Sequence, residues 1–130
     1  MGAQIFTFEE LTTLLTKIEA ILNSRPLCPI STDTSDIGAL TPGHFLIGDN
    51  LASLPEHNLE NIPTSRLDRW ELVKSASQAF WRSWHHDYLN TLQQRHKWTK
   101  DTQNIQAGTL GLIKDDNLPP LHWQMGRVTQ

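Results

Sequence analysis

Paired carboxylates, six histidines and one cysteine are the residues in this 130-residue sequence whose types could do chemistry. Two-metal phosphoryl chemistry needs acidic groups brought together from several elements. The pairs here are Glu9-Glu10, Asp33/Asp36 and Asp115-Asp116. Glu10 has a capping role ready for it, and Asp115-Asp116 stands in a turn-rich loop that explains it. His85 and His86 are adjacent, so on a helix they diverge by about 100° and do not converge on one ion. His44, His57, His96 and His122 fall in separate segments without ligand spacing. These histidines are expected to be solvated or at boundaries. Cys28 stands between Pro26 and Pro29 with no neighbouring cation or histidine to activate it. No Gly-rich phosphate loop or serine elbow is present. The expectation is therefore no catalytic residue, no metal site and no cofactor: the chain is not an enzyme on its own.

Cations give the stronger hint. Net charge is −3, yet residues 1–65 hold two basic and eight acidic groups, whereas 66–100 hold seven basic and three acidic. Arg66, Arg69, Arg82, Arg95, Lys97 and Lys100, with Lys114 beyond them, are the candidate phosphate contacts, and interleaved tryptophans could stack on unpaired bases. The competing reading makes the tryptophans core anchors and the cations a solvated face.

The elements that must position these groups read as mainly α, with a partial C-terminal β-hairpin. Thr7-Phe8-Glu9-Glu10 is a capping box, with Phe6 and Leu11 placed for a hydrophobic staple. Phe8, Leu11, Leu15, Ile18 and Leu22 form a helical stripe that Leu14 and Ile21 widen, and Pro26 ends the helix near Asn23 or Ser24. This greasy face needs a partner. Thr41, Pro42 and Gly48 bracket a short helix, and 49–64 reads as a connector. A second long helix is expected from about Ser65 to about His96, with Leu67, Trp70, Val73, Phe80, Trp84, Tyr88 and Leu92 on its seam and Trp81 beside it. A break near His85-His86 is allowed for. Thr109–Lys114 and His122–Thr129 read as two strands.

Apolar residues make up 38%, enough for a thin core anchored by some of the five tryptophans. A single cysteine points to a reducing compartment, and no apolar run is long enough to span a bilayer, so a soluble intracellular chain is expected.

Several blocks, in order, strongly resemble the carboxy-terminal part of integrases from Bel/Pao-type long-terminal-repeat retrotransposons. They are Phe8-Glu9-Glu10-Leu11, Leu22-Asn23-Ser24-Arg25-Pro26-Leu27, Ala39 through Gly48, Arg66 through Trp70, Phe80-Trp81 and Ile113 through Pro120. The resemblance implies that 1–48 is the terminal segment of an RNase H-like core, 49–64 a linker, 65–104 a basic helical region and 105–130 the first strands of a small barrel. It also implies that the three catalytic acids and the amino-terminal zinc module precede Met1. Thr109 stands where the family usually has Asp and Gly111 where it usually has Val, and glycine weakens a strand. The expected function is thus that of a non-catalytic integrase fragment. DNA, the upstream core and a second copy are its expected partners, and no membrane. The alternative is a helical protein-interaction module that does not bind nucleic acid.

Overall fold

A computed structural model describes residues 5–52, 54, 56–93 and 104–129. The chain is mainly α, with three helices and two small antiparallel strand pairs among the described residues. Helix α1 spans Phe8–Asn23 and begins on the expected box: Thr7 Oγ1 accepts from the Glu10 amide at 3.3 Å, and the Glu10 carboxylate accepts from the Thr7 amide at 2.8 Å. Strands β1 (Cys28–Pro29) and β2 (Ala39–Leu40) pair antiparallel, Cys28 opposite Leu40. Helix α2 (Pro42–Ile47) starts at Thr41, whose amide donates to His44 Nδ1 at 3.0 Å, and stops at Gly48 with φ +77°. Left-handed backbone of that kind is where glycine is favoured.

The second long helix, α3, spans Arg69–Leu92 and starts later than the expected Ser65. Ser65 instead lies in a 3-10 turn over Thr64–Arg66, and Leu67 is extended. Asp68 and Glu71 form the reciprocal cap, each side chain bonded to the other's amide, at 2.7 and 3.0 Å. Asp68 with Glu three residues on is a stronger start signal than Ser65 followed by Asp68. The helix runs unbroken through His85-His86, and His96 lies outside the described residues.

Helices α1 and α3 pack together, but on faces rotated from those expected. From α1, Leu14 and Ile21 are buried, while Phe8, Leu11 and Leu15 are exposed. On α3 the buried ridge is Val73, Ser77, Trp81, His85 and Leu89, joined by Gln78. Trp70 is 52% exposed, and Phe80, Trp84 and Tyr88 are only partly covered. A seam drawn through apolar residues alone passes over the three polar ones that this core accepts. Ser77 Oγ donates to Lys74 O at 2.8 Å; Gln78 accepts from Leu59 N at 3.0 Å and donates to His57 O at 2.9 Å. The polar atoms of Ser77 and Gln78 are thereby paired, so their burial carries little penalty. Gln78 also pins the connector, whose Leu59 is buried.

Strands β3 (Leu110–Leu112) and β4 (Met125–Arg127) form the expected hairpin in shorter form, with Gly111 opposite Gly126. A Cβ at Gly126 would approach Ile113 Cδ1 to 3.0 Å, so the bare backbone there admits the isoleucine. The hairpin is tied to both helices. Trp81 Nε1 donates to Leu118 O at 2.9 Å, and Trp123 Nε1 donates to Ser24 Oγ at 3.1 Å at the end of α1.

Candidate nucleic-acid interface and docking face

Four of the seven candidate phosphate contacts lie among the described residues; Arg95, Lys97 and Lys100 lie outside them. Arg66 is in the 3-10 turn, exposed and without an ion pair to a described residue. Arg69 opens α3 and grips α1: its Nε donates to Glu10 Oε1 at 2.7 Å, its Nη2 donates to Ile5 O at 3.1 Å, and the same Nη2 bonds Glu10 Oε2. That guanidinium, with the Thr7 amide, holds the Glu10 carboxyl below the usual carboxylate value, and Glu10 in turn raises Arg69. Arg82 is ion-paired to Glu60 from the connector. Lys114 Nζ lies 3.9 Å from Asp116 Oδ1.

The helix does not gather these cations into one stripe. At 3.6 residues per turn, Arg69, Lys74 and Arg82 are spread around α3, with Arg69 about 140° from each of the other two. Lys74 Nζ sits 5.6 Å from the Trp70 ring, and Lys17 of α1 approaches the same ring at 6.0 Å. Trp70 is thus neither a core anchor nor a bare stacking platform; it lies beside two ammonium groups, an arrangement that cation–π attraction favours.

The tryptophans expected as anchors divide accordingly. Trp81 is the hub: its ring centroid lies 4.7 Å from His85, 5.1 Å from Trp123 and 6.4 Å from Trp84. Trp84 stacks on Tyr88 at 5.2 Å and meets Trp123 edge-on at 5.8 Å. His85, expected at a boundary, is only 3% exposed. Burial pushes its pKa down, His86 and Lys114 push the same way, and Asp116 and Asp115 oppose them.

Arg127 is the functional-looking cation that charge counting passed over. Its Nη1 donates to Gly108 O at 2.9 Å, and its Nη2 donates to Ser31 O at 3.1 Å and Asp36 O at 2.6 Å. Its Nε is buried without a partner among the described residues. This is a clamp between hairpin and loop, and only the position of Arg127 in a strand hinted at it.

The carboxylates serve turns. Asp33 Oδ1 accepts from both the amide and the hydroxyl of Ser35, which lower its pKa with help from Arg127; Asp36 accepts from Gly38 N, and Asp115 from Asn117 N. No group of three or more His, Cys, Asp or Glu suited to a metal occurs among the described residues. Cys28 is exposed and opens on a cavity of about 420 Å³ between β1, the end of α3 and β3, with Tyr88, Leu92 and Met125 in its wall. No described helix is long and apolar enough to cross a membrane.

What remains conspicuous is uncovered apolar surface. Phe8, Leu11 and Leu15 are 80%, 44% and 56% exposed, and all three apolar residues Phe45, Leu46 and Ile47 of α2 face outward. Contiguous surface of that kind marks interaction sites.

Compared with known proteins, the chain finds no match among curated proteins and none among solved structures. Residues 68–130, from the N-cap of α3 through the hairpin, match the model of a family of unknown function, DUF5641.

Proposed function

We propose that this chain is a non-catalytic part of a Bel/Pao-type integrase, an assembly element that links a catalytic core to a DNA-contacting region. The observation that carries the reading is the two-sidedness of α1. One side is packed on α3 through Leu14 and Ile21, while the stripe of Phe8, Leu11 and Leu15 is left bare. A helix that closes a core and also supports the next region is apolar on both sides in this way. The block order set out above supports the same assignment. Use of the carboxylates in caps, turns and ion pairs supports the non-catalytic part of it.

The DNA contact then falls to Arg66 among the described residues and to Arg95, Lys97 and Lys100 outside them, because Arg69 and Arg82 already hold carboxylates and Lys114 lies beside Asp116. Anisotropy of a labelled duplex titrated with the whole chain tests this. Binding is expected at ~50 mM salt, with a log–log salt slope near −0.9 for each phosphate contacted. Substituting Arg95, Lys97 and Lys100 together by alanine should flatten that slope by roughly three such increments. Addition of Mg²⁺ or Mn²⁺ should yield neither nicking nor strand joining.

A second reading, a protein-interaction module without affinity for nucleic acid, is favoured by the intrachain partners of Arg69 and Arg82. Absence of any duplex binding at ~50 mM salt would select it over the first.

A further inference from the structure

The joint between α3 and the hairpin is built around one imidazole. His85 is 3% exposed, with its ring centroid 4.7 Å from Trp81 and 5.0 Å from Trp123, the indole that leads into β4. Trp123 in turn meets Trp81, Trp84 and Tyr88 edge-on, at 5.1, 5.8 and 5.6 Å. The His85 ring makes no hydrogen bond to another described residue. The charged groups that face it are His86 on α3 and Lys114, Asp115 and Asp116 from the turn after β3. Two of these favour a positive ring and two oppose it, so no net counter-charge awaits a proton. Other titratable groups nearby are turned away. Tyr88 donates its hydroxyl to Pro26 O at 3.3 Å, Arg25 Nη1 donates to Leu22 O at 2.6 Å, and His122 is exposed. Cation–π attraction to the indoles returns less than the hydration a buried ion gives up, so the neutral ring suits this place.

A charge on His85 would act on the hairpin and not on the helix pair. Arg69 holds Glu10, Lys17 approaches Trp70 and Tyr88 reaches Pro26, so α1 and α3 run side by side in one direction. His85 therefore stands near the level where α1 has ended. Val73, at the other end of the buried ridge, lies about 18 Å down the axis.

We infer that His85 is a proton-operated latch, whose protonation frees the hairpin from α3 while α1 and α3 stay packed. The latch does not depend on what the chain binds. Once freed, His85 returns to water and to its ordinary pKa of 6.5, whereas burial in the docked form keeps its pKa lower. Release is therefore favoured as pH falls through the ordinary value, and above it the hairpin stays docked.

Hydrogen exchange of the whole chain at about pH 7.5 and about pH 5.5 tests this, read as protection factors so that the intrinsic pH dependence of exchange drops out. The reporters are the amides of Gly108, Ile113 and Val128, bonded to Val128 O, Gln124 O and Thr109 O. A two-stranded hairpin cut loose is marginal by itself, so release exposes them. Their protection should fall by up to about tenfold at the lower pH, the limit for one such group that stays unprotonated when docked, with amides in the middle of α1 unchanged. His85→Gln should remove the fall. Lys114→Glu, at an exposed position, turns a further carboxylate toward the ring and should shrink it. Equal loss of protection across α1, α3 and the hairpin would overturn the latch in favour of whole-chain acid unfolding. Hairpin protection that is the same at both pH values, or a fall that persists in His85→Gln, would overturn it too. If His85→Gln does not fold, a fall that Lys114→Glu leaves unchanged has the same consequence.

Discussion

A buried histidine is the residue that most changes how this chain responds to its surroundings. His85 lies against the rings of both Trp81 and Trp123, with centroids 4.7 and 5.0 Å away, and burial holds its pKa below the ordinary 6.5. An unfolded chain therefore takes up a proton at a pH where the folded chain does not. The associated stability is intact above the unfolded value and declines as pH falls through it toward the lower folded one. Urea denaturation at about pH 7.5 and about pH 5.5 should give a smaller unfolding free energy at the lower pH, and His85→Gln should remove most of that difference. Glu10 and Asp33 shift the other way, below their ordinary values, so their contributions are present above the carboxylate range and vanish only under more acid conditions. Nothing in residue type announced His85. A histidine counts as polar in any hydropathy reading, and only its position one turn after Trp81 and one before Leu89 places it on the ridge.

Among the elements, those with explicit start and stop chemistry were legible in the sequence. Thr7 with Glu10, Thr41 with Pro42, and Gly48 each signal a boundary through a hydrogen bond or a backbone preference local to a few residues, and the structure puts α1 and α2 there. The beginning of α3 was misplaced because Ser65 and Asp68 are both acceptable caps, and only Asp68 is answered by a glutamate at the third helical position. That choice has a measurable weight. Asp68→Ala should lower stability by about 1 kcal/mol in chemical denaturation, typical of a lost N-cap, whereas Ser65→Ala should stay within ~0.5 kcal/mol. Helix faces were less legible than helix ends. On both α1 and α3 the buried line runs beside the most apolar line: α1 buries Leu14 and Ile21 and leaves Phe8, Leu11 and Leu15 outward, and α3 admits Ser77, Gln78 and His85 to its packed side. The β1–β2 pair escaped notice altogether; two residues per strand leave no alternation to read.

At the scale of the whole molecule, the connections that matter join residues far apart in the chain, which no local pattern encodes. Trp123 and Ser24 are 99 positions apart, and Arg127 reaches Asp36 across 91. The candidate interface suffered most from this. Counting cations picked out Arg69 and Arg82, which fold back onto Glu10 and Glu60, and missed Arg127, which fastens the hairpin to the loop between β1 and β2. The forked guanidinium of Arg127 serves three carbonyls at once, a geometry that a lysine ammonium cannot copy. Arg127→Lys should therefore cost about 1–3 kcal/mol, seen as a lower melting temperature and a lower denaturant midpoint.

Trp81, Trp84 and Trp123 also stand at mutual distances of 5.1 to 6.4 Å, two of them on α3 and the third in the chain leading into β4. Transition dipoles that close couple as excitons, and the coupling depends on Trp123 being lodged between α3 and the end of α1. Attachment of the hairpin is thereby written into the chirality of the indole absorption itself, an intrinsic optical readout that a detached hairpin would lose even while α3 kept its helical signal.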